Sequence, residues 1–216
     1  MITKFEEVVE LLKERLENNF DCSVAITGEK GIGKSTLAIQ IARAINGESF
    51  DLRKHVIFNP EFSELEKAIR IFPPKTALVI DEAIKVTYKL DFMKKEQREF
   101  NKMLTLARKH YKVLLFCIPH FIDMSSFMKK TEIVLWFYIL KRGKAFVFVK
   151  DQNPFIDDPW HFKENLKIIQ KFRKNIFDLD GLEKGLRHCV NYAGEFSFEK
   201  LEESLEREYE NLKHLI

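Results

Sequence analysis

Hydrophobic positions along the chain follow two rhythms. Phe5, Val8, Val9, Leu12 and Leu16 recur every three to four residues, which predicts an amphipathic helix at the start. The rhythm then gives way to a continuous apolar run, "CSVAIT" (22–27), the length and character of a strand buried on both faces. A Gly-rich turn leads into "KSTLAIQIARAIN", a helix stopped by Asn46 and Gly47. "HVIFN" predicts a second strand, and "PEFSELEKAIRIF" a helix started at Pro60. "TALVIDEA" is a third buried strand ending in two acids, "KKEQREFNKMLTLARKH" an amphipathic helix, and "KVLLFCIPH" a further buried strand. After a short helix around 124–130, "TEIVLWFYIL", a "KRGK" turn and "AFVFVK" read as two tightly joined strands.

Alternating helices and doubly buried strands predict an α/β fold: a mostly parallel sheet flanked by helices, with the last two strands as an antiparallel edge hairpin. From about residue 153 the pattern changes. "DDPWHFKENLKIIQKF" and "FSFEKLEESLEREYENLKHL" both read as helical. The expected division is therefore an α/β domain with its N-terminal helix over 1–152 and a helical C-terminal extension over 153–216. An apolar stripe at Phe196, Phe198, Leu201, Leu205 and Leu212 predicts that the extension docks, on its own domain, on a neighbouring subunit or on another partner.

Composition narrows the class. Of 216 residues, 45% are hydrophobic and 32% charged, a globular balance; the net charge of +3 is too small to indicate nucleic-acid binding without local clustering. Cys22, Cys117 and Cys189 form no CxxC pair, which argues against a zinc site or a disulfide framework. The first residues, "MITKFEEVVELLKERL", are too charged for a secretion signal, and the apolar run 133–140 is too short to span a bilayer. A cytoplasmic protein without a membrane span is expected.

Candidate chemistry concentrates at "GEKGIGKST". It satisfies G-x-x-x-x-G-K-[ST] and has a strand before it and a helix after it. Gly28, Gly31 and Gly33 let the backbone curl so that N–H groups, including those of Lys30, Ile32 and Thr36, face one point at the positive end of the helix. Lys34 adds a point charge for the β- and γ-phosphates, and the Ser35 hydroxyl is placed for Mg²⁺. The expected cofactors are ATP and Mg²⁺. In "LVIDEA", Asp81 is the acid predicted beside the Mg²⁺ shell, and Glu82 the base that orients a water toward the γ-phosphate. A transferase to a small molecule needs no water-activating acid, so the pair favours an ATPase.

The P-loop, "LVIDEA", a helix ending in "ARKH" and a strand ending in "CIPH" together resemble the FtsK–HerA superfamily of nucleic-acid-pumping ATPases over about residues 20–150. Within it the chain looks most like the zonula-occludens-toxin-like ATPases of filamentous phages and the packaging or plasmid ATPases of archaeal mobile elements. The resemblance implies a RecA-like P-loop domain working as a homo-oligomer, a ring of six, on double-stranded DNA, with a portal or coat protein as a further partner. His120 stands where the family usually has a Gln that senses the γ-phosphate. Arg108 resembles the arginine finger that reaches a neighbour's nucleotide; Arg142, in a turn at the ligand edge of such a sheet, is the rival. Lys85, Lys89, Lys94, Lys95 and Arg98, interleaved with Tyr88 and Phe92, are the expected DNA-following segment, with Lys129–Lys130 and Lys141, Arg142 and Lys144 as further cationic clusters.

The leading expectation is an ATP-hydrolysing motor that translocates or packages DNA for a virus, plasmid or integrated element. One alternative is a helicase-loader or transposition-helper ATPase of AAA+ type, with Arg173 or Arg187 as the sensor of a helical lid. Another is a nucleotide-driven assembly or secretion protein acting on protein.

Overall fold

The computed structural model describes residues 1–58, 61–83, 87 and 94–215. Its centre is a seven-stranded sheet in the order β2-β3-β4-β1-β5-β6-β7. The strands are β1 (Cys22–Thr27), β2 (Val56–Ile57), β3 (Ala77–Ile80), β4 (Val113–Ile118), β5 (Ile133–Lys141), β6 (Lys144–Val149) and β7 (Tyr192–Ser197). β1 to β5 pair in parallel, whereas β6 runs antiparallel to both β5 and β7. The continuous apolar runs end up where that pattern demands: every residue of β1, β3 and β4 is buried.

Helices cover both faces. α1 (Phe5–Glu17) and α2 (Lys34–Asn46) lie on one side, where Val8, Leu12, Leu37 and Ile41 pack against β1 and β4. α3 (Leu52–His55) leads into β2. On the other face, α4 (Phe62–Ile71) and α5 (Lys94–Lys109) contribute Leu65, Ile69, Met103 and Leu104 to a second apolar cluster. That cluster continues to Trp160 and Leu186, the latter on α7 (Leu179–Arg187), with Ile169 of the preceding α6 (Phe162–Phe172) packed against it.

The C-terminal region supplies helices, as its periodicity predicts, and also an edge strand that the periodicity did not reveal. "YAGEFS" pairs with β6, setting Glu195 opposite Phe146 and Phe196 opposite Ala145. Ile2 closes this edge by exchanging backbone hydrogen bonds with Ala193 and Glu195 (2.9 and 3.0 Å). The last helix, α8 (Glu203–His214), then returns to the α2 face, where Tyr209 is buried in the first cluster. All three cysteines are free and buried. Among the described residues no helix is long and apolar enough to cross a membrane.

Candidate active site

Because β1 to β5 are parallel, their carboxyl ends share one edge of the sheet, where ligands bind in such folds. The turn after β1 and the acids after β3 both lie there, although β4 stands between their strands. Adjacent strands are about 4.8 Å apart, so the two strands are separated by roughly 10 Å at the backbone. Side chains close the gap: Ser35 Oγ donates to Asp81 Oδ1 at 2.8 Å. Asp81 is nearly inaccessible to solvent, and its backbone N–H is pinned to the Ile57 carbonyl at 2.9 Å.

The turn itself is shaped by glycine where no other residue fits. Gly28 has φ +148°, and a Cβ there would lie 2.6 Å from the Ile139 carbonyl oxygen and 2.9 Å from Ile32 Cγ2. Gly33, at φ +108°, is the N-cap of α2. No side chain caps that helix and its first turn holds no acid, which leaves the N–H groups and the positive end of a 13-residue helix facing the loop. Lys34 Nζ donates to the Gly28 and Glu29 carbonyls, both at 2.8 Å. Burial lowers the Lys34 pKa below its ordinary value, and the charge of Asp81 opposes that shift.

The second acid is held in an unusual way. Glu82 adopts φ +51°, a left-handed conformation costly for a side-chain-bearing residue, and its side chain remains more than half exposed. The neighbouring Ala83 N–H donates to the Cys117 carbonyl at 3.1 Å, which fixes the turn.

Two side chains that sequence reasoning did not single out complete this cluster, both from α8. Tyr209 donates its hydroxyl hydrogen to Asp81 Oδ2 at 2.6 Å. Lys213 Nζ lies 3.5 Å from Asp81 Oδ2 and 3.4 Å from Glu82 Oε1. Burial works to lower the Lys213 pKa, but the two carboxylates outweigh it and the net shift is upward. A signal existed in the sequence, since Leu201, Leu205, Tyr209 and Lys213 are spaced by four and extend the apolar stripe into polar positions.

The remaining candidates are distributed unevenly. His120 follows β4 at the ligand edge, beside Pro119, whose carbonyl accepts from the Gly28 N–H at 3.1 Å. Arg142 is exposed in the β5–β6 turn, with a guanidinium nitrogen 3.9 Å from where a Cβ on Gly31 would stand. It thus overlooks the loop of its own chain. Arg108 lies at the opposite end of the sheet, paired with the buried Glu132 and 4.0 Å from Asp21. Arg187 is paired with Glu183 and Glu195, and Arg173 donates to the Ile176 carbonyl.

Of the cationic clusters, Lys141 and Lys144 both bind Glu183, Lys130 binds Asp157, and Lys129 donates to the Ile122 carbonyl. Lys85, Tyr88, Lys89 and Phe92 lie outside the described residues, and Lys94, Lys95 and Arg98 belong to the first turns of α5.

The donor set suits magnesium. Among the described residues no three His, Cys, Asp or Glu converge as a metal cage. A hydroxyl and one carboxylate, hard oxygens already in contact, are the sparse protein contribution that Mg²⁺ takes alongside phosphate and water.

No family model matches the chain. A curated relative, the uncharacterized protein ORF286 of Acidianus two-tailed virus, is 24% identical over 200 residues, covering 88% of this chain; the chain spans 65% of that relative's length. Among solved structures the chain is similar to the genome packaging NTPase B204 of Sulfolobus turreted icosahedral virus 2 in complex with ATP-γS (TM-score 0.43, 16% identity, 60% of this chain and 92% of that one). It is also similar to the N-terminal domain of zonular occludens toxin from Neisseria meningitidis (TM-score 0.40, 14% identity, 60% of this chain and 83% of that one).

Proposed function

We propose that this chain is an ATP-hydrolysing motor subunit that moves double-stranded DNA for a virus or other mobile element. The observation that carries the hydrolytic part is the 2.8 Å contact between Ser35 and Asp81, which joins the phosphate loop to the acid strand across β4 with Glu82 next in line. In this reading the loop N–H groups and Lys34 hold the β- and γ-phosphates. Ser35 and Asp81 hold magnesium, which when bound spreads the negative charge that develops on the phosphate oxygens. Glu82, exposed at the mouth of the site, orients a water and accepts its proton as the water oxygen bonds to the γ-phosphorus. The bond from that phosphorus to the β–γ bridging oxygen breaks, releasing ADP and phosphate. His120, at the end of β4, senses the γ-phosphate.

The DNA load rests on the motif resemblance, as does a ring of like subunits. The arginine that an oligomer would supply to a neighbour's nucleotide is Arg108 or Arg142: Arg142 is exposed beside Gly31 at the ligand edge, and Arg108 is held by Glu132 and Asp21 at the far end of the sheet. An arginine supplied in trans is worth about 10³–10⁵ in rate.

The test is ATP turnover with and without double-stranded DNA, over a salt series, on material whose oligomeric state is fixed by light scattering. The expected result is Mg²⁺-dependent hydrolysis that DNA accelerates and that returns to the basal rate at high salt. Hydrolysis that no nucleic acid stimulates would overturn the DNA assignment. Absence of turnover of any nucleoside triphosphate would overturn the enzyme itself.

A further inference from the structure

The catalytic acids do not face solvent alone. Asp81 accepts a hydrogen bond on each oxygen, from Ser35 on Oδ1 and from Tyr209 on Oδ2. Lys213, one helical turn after Tyr209, sits between Asp81 Oδ2 and Glu82 Oε1 and lies 3.4 Å from the Tyr209 hydroxyl. We propose that Tyr209 and Lys213 are positioning residues of the hydrolytic site: α8 completes in cis the shell that orients Asp81 for the metal and Glu82 for the water. The proposal rests on the hydrolytic reading above and extends it to a segment that none of the recognised motifs includes.

Three features show that this is a built contact. First, α8 is tied down along its whole approach. Gln40 of α2 donates to the Glu199 carbonyl at 2.7 Å, and Arg43 and Arg53 pair with Glu202 and Glu208, each at 3.1 Å. Each exposed pair is weak, but together they fix the direction of the helix.

Second, the segment leading to α8 packs on the phosphate loop. The Phe198 ring lies 3.6 Å from where a Cβ on Gly33 would stand, and the Phe198 N–H donates to the Gly143 carbonyl at 2.8 Å, next to Arg142. Third, Tyr209 is buried with its ring 5.5 Å from that of Phe58, so its hydroxyl is aimed rather than free to rotate away.

The chemistry follows from the two donors. A phenol O–H to the outer oxygen of a ligating carboxylate fixes the carboxylate's rotation and the direction of its remaining lone pairs. Lys213 restrains the exposed Glu82 carboxylate by charge and holds it beside Asp81, from where it addresses a water on the phosphate side. Neither residue touches the reacting atoms; both act through the acids.

The experiment compares full-length wild type with Tyr209→Phe, Lys213→Gln and Lys213→Arg. ATP affinity is measured in Mg²⁺ and in EDTA, alongside kcat, KM and melting temperature. Tyr209→Phe keeps the ring and its packing. It is expected to reduce the Mg²⁺-dependent gain in ATP affinity by about 10- to 100-fold, with affinity in EDTA unchanged and only a modest fall in melting temperature from the lost buried hydrogen bond. Lys213→Gln is expected to lower kcat by about tenfold or more at near-constant KM, and Lys213→Arg to restore most of it. A merely structural role would instead move the melting temperature and the EDTA affinity together.

Wild-type values for both Tyr209→Phe and Lys213→Gln would overturn the proposal. So would tighter Mg²⁺·ATP binding or faster turnover, which would make α8 an inhibitory latch. A wild-type protein that binds ATP with no Mg²⁺ dependence removes this proposal alone; one that binds no nucleotide removes the hydrolytic reading with it.

Discussion

Replacing Arg108 by alanine strips the partner from a carboxylate that lies almost wholly inside the protein. The Glu132 side chain is 2% exposed, whereas the Arg108 guanidinium paired with it is half exposed. Removing one member of a fully buried pair costs about 3–5 kcal/mol; because water already screens this guanidinium, the loss here is about 1–3 kcal/mol. For a chain of this length each kcal/mol moves the melting temperature by about 2–4 °C, so the expected fall is about 2–12 °C. Its pH dependence has a definite sign. Burial raises the Glu132 pKa above its ordinary value, with Arg108 and Lys150 opposing and Asp21 adding to the rise. The native state therefore binds more protons than the unfolded chain above the ordinary pKa, and an ionised Glu132 costs stability as pH rises. Without Arg108 the pKa rises further, so the deficit grows as pH rises and shrinks as falling pH protonates Glu132. The assay is thermal unfolding at several pH values, with Arg108→Ala on a Glu132→Gln background as the comparison. A deficit that does not grow with pH, or is undiminished on that background, refutes the reasoning. The same data decide what a turnover loss in Arg108→Ala means. If it persists well below the melting temperature of the variant, with ATP affinity intact, it reports a catalytic contact and not unfolding.

Two other outcomes follow from backbone geometry. Gly28→Ala places a Cβ 2.6 Å from a backbone oxygen at φ +148°, so calorimetry should show nucleotide binding lost and unfolding brought forward by about 1–3 kcal/mol. At Glu82, φ +51° favours glycine over alanine, so Glu82→Gly should be about 1 kcal/mol more stable than Glu82→Ala by denaturant unfolding. Both Glu82 variants should be without turnover, and equal stabilities would show that the strain is absent in solution.

The sequence by itself determined the elements whose signal is local. A loop of G-x-x-x-x-G-K-S between a doubly buried strand and an uncapped helix is specified by backbone conformation and glycine spacing, both properties of adjacent residues. The same holds for the apolar runs of β1, β3 and β4, whose burial on both faces leaves no polar positions to confuse the reading. β7 escaped because it is a six-residue edge strand interrupted by Gly194 and lying between helical segments, so its pairing with β6 outweighed weak local propensity. The partners of the acids were legible only in part. The four-residue spacing of Leu205, Tyr209 and Lys213 puts the last two on the docking face, but Tyr209 meets Asp81 across 128 positions of chain, and local sequence does not say which acid that face meets. Arg108 and Arg142 looked alike in sequence, yet strand direction sends one to the far end of the sheet against Glu132 and the other over Gly31. Glycine spacing and flanking elements point to a phosphate-binding loop; only the packing of α8 beside α3 on that face of the sheet decides which side chains attend the acids, because that contact is set by the path of the whole chain.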